Sequence, residues 1–346
     1  MKKLDALKAM NPEDRKRAIG DFLMNNAMFI IIAVTIIYIW IRVPSFLSIT
    51  SIINIINLTA AKLPIALGVG GCIILAGTDI SAGRQVGLAA CISAGLQLTV
   101  NKLFPGLGVM PIPVALLAVI VTGSIIGLVN GFCMAQFKVH PFIVTLSTQL
   151  IVYGVILMFL QLGTNGGQTL SGMSEGYRNF ISGTLFTVGT AKVPMYVLYS
   201  VIITAIVWVI WNKTAFGKNM FAVGSNEDAA NVSGVNVKKT IILVFIMAGI
   251  LYAITGFIDA ARIASVNATT GLNYEADAIA ACVIGGISFV GGIGKVSGAI
   301  IGVLLLQVIF VGLNFLSVDA NLLYIVKGLI ILVACCIDMR KYLVRK

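Results

Sequence analysis

The sequence has 346 residues, of which 59% are hydrophobic and 11% charged, with a formal net charge of +11. Soluble domains carry about 25% charged residues, so this chain has too few charges to coat a water-soluble particle, and its apolar content excludes intrinsic disorder. Long unbroken apolar runs exclude a β-barrel, and the chain reads as an all-α polytopic membrane protein whose positive charge marks cytoplasmic loops rather than nucleic-acid binding.

Residues 1–21 form a cytoplasmic N-terminal segment carrying Lys2, Lys3, Lys8, Arg15, Lys16 and Arg17. The apolar stretch from Phe22 to Ile41 runs into Arg42-Val43-Pro44 without a small-residue cleavage site, so it reads as a first span rather than a signal peptide. A span takes about 20 mostly apolar residues. Further spans are predicted at 51–77, 83–101, 112–134, 141–162, 194–212, 240–261, 277–292, 296–316 and 321–338. Residues 22–338 thus form one transmembrane domain of about ten helices, followed by a cytoplasmic tail at 339–346. An even number of spans puts both termini on one side. That arrangement assigns 17 Lys and Arg to the cytoplasm and 5 to the opposite side, which fixes the orientation as N-in and C-in. Residues 163–193 then face outward and 213–239 face the cytoplasm. The six cysteines lie in apolar runs with no CxxC spacing and read as packing residues, not metal ligands or disulfides.

Gly123-Ser-Ile-Ile-Gly127 in the fourth span resembles Gly298-Ala-Ile-Ile-Gly302 in the ninth. Two such copies five spans apart would make spans 2–5 and 7–10 an inverted repeat, as in transporters. Small-xxx-small helix packing gives the same match without any repeat.

Three segments carry polar groups worth a functional reading. The first is Gly77-Thr78-Asp79-Ile80-Ser81-Ala82-Gly83, followed by Arg84 and Gln85. An ionised Asp in lipid costs about 2.5–3.5 kcal/mol and needs a partner or a wet cavity. The preceding span holds Asn54, Asn57, Lys62 and Pro64, and Leu63–Ala76 alone is too short to cross. A broken helix beside a translocation path fits, because non-helical backbone is tolerated where it lines a cavity. The alternative is a capped cytoplasmic turn with an Asp79–Arg84 ion pair.

The second is 214–239, where Ser225, Asn226, Glu227 and Asp228 read as a capping box opening a short helix Asn226–Ser233, closed by Gly234. A capped helix on the cytoplasmic face, with small Ala229 and Ala230, is a ready docking element; a solvated connector is the plainer alternative. In the third, Glu275 and Asp277 enter a glycine-rich span and place a helix start beside a polar cavity. The later Gly294-Lys295 lacks the other residues of a phosphate loop, so close packing explains its glycines. His140 stands alone and reads as structural, with no metal site and no catalytic triad around it.

Nearly the whole chain, from about Pro44 to Lys341, resembles the permease subunits of bacterial sugar ABC importers of the ribose/galactose branch. That branch carries G-x-D-L-S-x-G, met here as Gly77–Gly83 with Ile80 for Leu. The segments "AGRQVGLAA", "WNKTAFGKNMFAVGSNEDAANVSGVNV" and "YEADAIAACVIGGISFVGGIGKVSG" are most similar to its galactose/methyl-galactoside members. The resemblance implies an inner-membrane, multi-pass homodimer with cytoplasmic ATPase subunits, an external sugar-binding protein and a sugar substrate. It also implies that ATP and Mg sit on the partner ATPase, with no cofactor and no enzymatic activity in this chain, and that Asn226–Ser233 is the coupling helix. The competing class is a secondary carrier driven by an ion gradient, which buries more acidic residues at the midplane than this chain offers.

Overall fold

The computed structural model describes residues 27–343 apart from 101, 105, 107 and 164. The expected cytoplasmic segment 1–21, the start of the first predicted span and positions 344–346 of the tail lie outside the described residues. The chain is mostly helical. Helices α1 (Ala27–Arg42), α2 (Ile49–Ile74), α3 (Ala82–Gln97), α4 (Ile112–Phe137) and α5 (Pro141–Leu160) precede the connection at 163–193. That connection holds a short α6 (Glu175–Ser182). After α7 (Met195–Lys213) come α8 (Ala215–Ser225) and α9 (Glu227–Val232), then α10 (Val237–Ile263), α11 (Tyr274–Ile284), α12 (Val296–Phe315) and α13 (Ala320–Leu343). Two short antiparallel sheets qualify the all-α expectation. Strands β1 (Leu170–Ser171) and β4 (Ser265–Val266) pair, as do β2 (Thr184–Val188) and β3 (Ala191–Pro194).

Six helices among the described residues, α2, α4, α5, α7, α10 and α12, are long and apolar enough to cross a bilayer. Two predicted spans shrink. In place of 83–101 stands α3, with 16 residues, and in place of 277–292 stands α11, with 11. At 1.5 Å per residue these reach about 24 and 16 Å, short of a hydrocarbon core of about 30 Å. The apolar runs continue past both helices, but the backbone does not. Gly285 and Gly286 close α11, with Gly286 at φ +84° and the Ile287 N–H bonded back to Cys282 O.

The expected break near Lys62 and Pro64 is also displaced. Helix α2 runs through both for 26 residues. Proline denies Ala60 O its helical donor, and Ser200 Oγ on α7 supplies one instead at 2.6 Å. The break falls later, at 75–81, where Leu75, Ala76 and Gly77 fold back onto Cys72 and Ile73 carbonyls and Ala76 takes φ +57°.

The described residues form two compact units. In the smaller, residues 27–48 with 308–343, Phe46 meets Phe315 edge-on at 5.8 Å, and Lys327 lies over the Phe310 ring. The larger unit, 49–307, is built around α10, which packs on α2, α3 and α4. Its seam with α4 is backbone against backbone. A Cβ added at Gly123 would collide with Gly249 O, one at Gly127 with Phe245 O, and one at Gly249 with Gly123 O. Gly298 and Gly302 meet Gly285 and Ala281 carbonyls of α11 in the same way. Both glycine pairs that resemble one another in sequence are therefore close-packing contacts.

Candidate functional site

The break between α2 and α3 delivers Asp79 into the protein interior, where it is 1% exposed. Asp79 Oδ1 accepts from the Ser81 N–H at 2.9 Å and from Ser81 Oγ at 2.5 Å. Ser81 Oγ in turn accepts from Gln85 Nε2 at 2.9 Å and Asn130 Nδ2 at 3.2 Å. Thr148 Oγ1 donates to Asn130 Oδ1 at 2.6 Å, and the Thr78 carbonyl receives Thr145 Oγ1 at 3.3 Å. Tyr252, at the middle of α10, is fully buried beside Asp79 and Cys72. One hydroxyl thus ties α3 to α4, and Asn130 carries the network on to α5. Buried polar groups in such a set must be satisfied, since each orphaned one costs about 1–3 kcal/mol.

The Asp79–Arg84 ion pair of the alternative reading is not formed. Arg84 Nη1 donates instead to Ala268 O at 3.0 Å, and its guanidinium lies 4.2 Å from the Tyr153 ring centroid. Glu275, 8% exposed, sits against Gly83, where any Cβ would strike its carboxylate and Gly271 O. Half-buried Asp277 shares the first turn of α11 with Glu275, where two carboxylates suit the helix dipole.

A polar file extends from this point. Lys62 lies over the Tyr274 ring, Tyr274 neighbours Asp259 and Arg262, and Arg262 Nε donates to Asp259 Oδ1 at 2.8 Å. The predicted residues Asp79, Ser81 and Gln85 thus meet in one network. Thr78 is held apart from it through its carbonyl by Thr145, and Arg84, Glu275 and Asp277 lie near one another beside it. Asn130, Thr145, Thr148, Tyr252 and Asp259 were not singled out from sequence. Asn130 and Asp259 had a signal, a polar side chain inside an apolar run. The threonines and Tyr252 had none. Among the described residues no cluster of His, Cys, Asp and Glu is arranged to hold a metal ion.

Replacing Asp79 by Asn keeps an oxygen for the two Ser81 donors and removes the charge, whereas Leu orphans both donors. Asn should retain most folded protein and a measurable share of activity, while Leu loses about 1–3 kcal/mol per orphaned group. Thermal unfolding in detergent, compared with solute uptake, checks this; equal loss in both variants would assign the role to the charge.

The predicted helix Asn226–Ser233 is found as α9 (Glu227–Val232), with a different cap. Ser225 is the last residue of α8. Asn226, with extended backbone at φ −162° and ψ 110°, is the N-cap, and its Oδ1 accepts from Ala229 N–H at 2.8 Å. An N-cap needs non-helical backbone, and Ser225 is still helical. Gly234 ends the segment at φ +83°, as its position predicted. Glu227, Asp228 and Ala229 are exposed, but Ala230 is 4% exposed and packs with Val223 and Val237. Only Ala229 of the two alanines is therefore a surface position. Sequence reading missed Val232, an apolar side chain 89% exposed at the end of α9. Gly224 of α8 abuts Ile74 O and Gly292, so this exposed element rests on the end of α2 just before the break.

Comparison with known proteins adds the following. Residues 51–335 match the family described as branched-chain amino acid transport system / permease component. The galactose/methyl galactoside import permease protein of Haemophilus influenzae is 44% identical, over 94% of this chain and 97% of that one. Its Escherichia coli counterpart is 41% identical, over 96% and 98%. The ribose import permease protein of Haemophilus influenzae is 34% identical, over 95% and 97%. No solved structure matches the chain.

Proposed function

We infer the function from the family: the chain belongs to the branched-chain amino acid transport system / permease component family and is the membrane-spanning permease subunit of a bacterial importer. Its solute is galactose or a methyl galactoside. The single observation that carries this is identity of 41–44% to galactose/methyl galactoside import permeases along nearly the full length of both chains. An ion-gradient carrier receives no support from these relatives.

The finer reading follows the same line. The chain sits in the inner membrane with about ten helices, N-in and C-in, spans 2–5 and 7–10 forming an inverted repeat. It works as a pair of copies with an ATPase on the cytoplasmic face and a sugar-binding protein outside. ATP and Mg belong to the ATPase, and this chain performs no catalysis. Helix α9 is the element that receives the ATPase, and the polar file from Asp79 to Arg262 lies beside the path. Uncharged solute suits such a file, because the Arg262–Asp259 pair is neutral as a unit and the other polar groups offer hydrogen bonds.

Reconstitution with the ATPase, the binding protein and ATP tests the function: uptake of galactose or methyl galactoside is expected. Uptake that persists without ATPase and collapses with the proton gradient would overturn it. Topology is tested in a Cys-free background. A cysteine at 175 should react only from outside and one at 229 only from the cytoplasm; the reverse pattern contradicts the orientation.

A further inference from the structure

We propose that the cavity between α6 and the end of α10 is a transfer subsite for a neutral, hydroxyl-rich solute at the outer mouth of the path, an inference that rests on the import function above. The cavity measures about 370 Å³ and is lined by Glu175, Arg178, Asn179 and Ser182 of α6 and by Arg262 and Ala264. That volume falls near the lower end of small-molecule sites, about 300–1,000 Å³, as a single sugar ring requires.

Its chemistry is unspent. Arg262 gives its Nε–H to Asp259, whose side chain is fully buried and holds the guanidinium from behind. A guanidinium has five N–H donors, and the other four of Arg262 find no hydrogen-bond acceptor among the described residues. The side chains of Glu175, Arg178, Asn179 and Ser182 likewise make no hydrogen bond or ion pair among the described residues. Donors and acceptors therefore face one space together, which matches hydroxyl groups, each of them donor and acceptor at once.

Charge selects further. Asp259 offsets Arg262, and Glu175 offsets Arg178 along one exposed helix. A charged solute would leave its hydration for a site with no net counter-charge, whereas a neutral polyol exchanges water hydrogen bonds for equivalent ones. The ring of Tyr177, which lies on α6, is buried beneath that helix and offers no stacking face. The site grips weakly, as a waypoint must. Arg262 belongs both to the cavity wall and to the polar file, with Asp259 and Tyr274 behind it.

The test uses the complete importer in proteoliposomes with methyl galactoside as probe. Ser182→Trp fills the cavity from an exposed position, and Asn179→Leu removes a hydrogen-bonding side chain without filling it. Uptake is expected to fall about tenfold in the first and about threefold in the second. ATP hydrolysis stimulated by the binding protein should stay at the parental level in both. Parental uptake in Ser182→Trp overturns the subsite. So does a parallel loss of stimulated hydrolysis, which would make the face a docking surface, or a parental importer that takes up a uronate faster than the galactoside. A parental importer that moves no sugar refutes the function itself, a result visible before any variant is made.

Discussion

Glutamate in place of Val232 should abolish ATP-driven uptake while leaving the chain inserted and folded. Val232 is 89% exposed and ends α9, the short helix on the 213–239 face. A substitution at so exposed a site changes folding stability by about 0.5 kcal/mol or less. In the proposed docking of α9 on the ATPase, however, the new carboxylate would be buried without a partner, at a cost of several kcal/mol. The assembled importer should therefore lose the ATPase on purification and lose uptake with it. Ala229→Glu should weaken docking in the same way, and Val232→Ala should fall between. Ala230→Glu acts by another route, because Ala230 packs with Val223 and Val237 and a charge there unseats α9 from its own chain. Thermal unfolding separates the two: normal for positions 229 and 232, lowered for 230. Parental uptake by Val232→Glu would remove α9 from the coupling step.

Leucine at Gly249 should prevent the larger unit from forming at all. The α4–α10 seam brings Gly249 against the Gly123 carbonyl, and a Cβ there meets backbone rather than a side chain able to rotate away. Overpacking a core costs about 1–3 kcal/mol when side chains can shift, and here the helices themselves must separate. We expect no monodisperse protein in detergent from Gly249→Leu and strongly reduced yield from Gly249→Ala. Gly154→Leu on α5, where nothing lies within 4 Å of an added Cβ, is the control and should purify normally. Normal size-exclusion behaviour in Gly249→Leu would refute the seam.

What sequence reading could reach follows from the range of the forces involved. Apolar runs located helices near every predicted span, because membrane insertion depends on local composition. They overextended α3 and α11, whose ends are set by backbone turns at residues such as Gly286 and not by any loss of hydrophobicity. Pro64 looked like a break because the donor that satisfies Ala60 O comes from Ser200, 140 residues away. Asp79, Ser81 and Gln85 stood out through their polarity, and neighbours in sequence did prove to be partners. The partner of Arg84 was not legible because Ala268, which holds it, is 184 residues distant. The cap of α9 failed at the scale of one residue: Ser225 and Asn226 are both good caps, and only backbone angles choose between them.

The position of the glycine seam along α10 has a mechanical meaning. Helix α10 has 27 residues, about 40 Å at 1.5 Å each, and it meets neighbouring backbone at more than one level, at Phe245 and Gly249 against α4 and at Gly256 against α3. A rod held against backbone at several levels does not bend between them and moves as one piece. One end follows the exposed α9; the other bears Arg262 and the cavity wall. A displacement at the first end would therefore reach the second without being lost in bending of the helix.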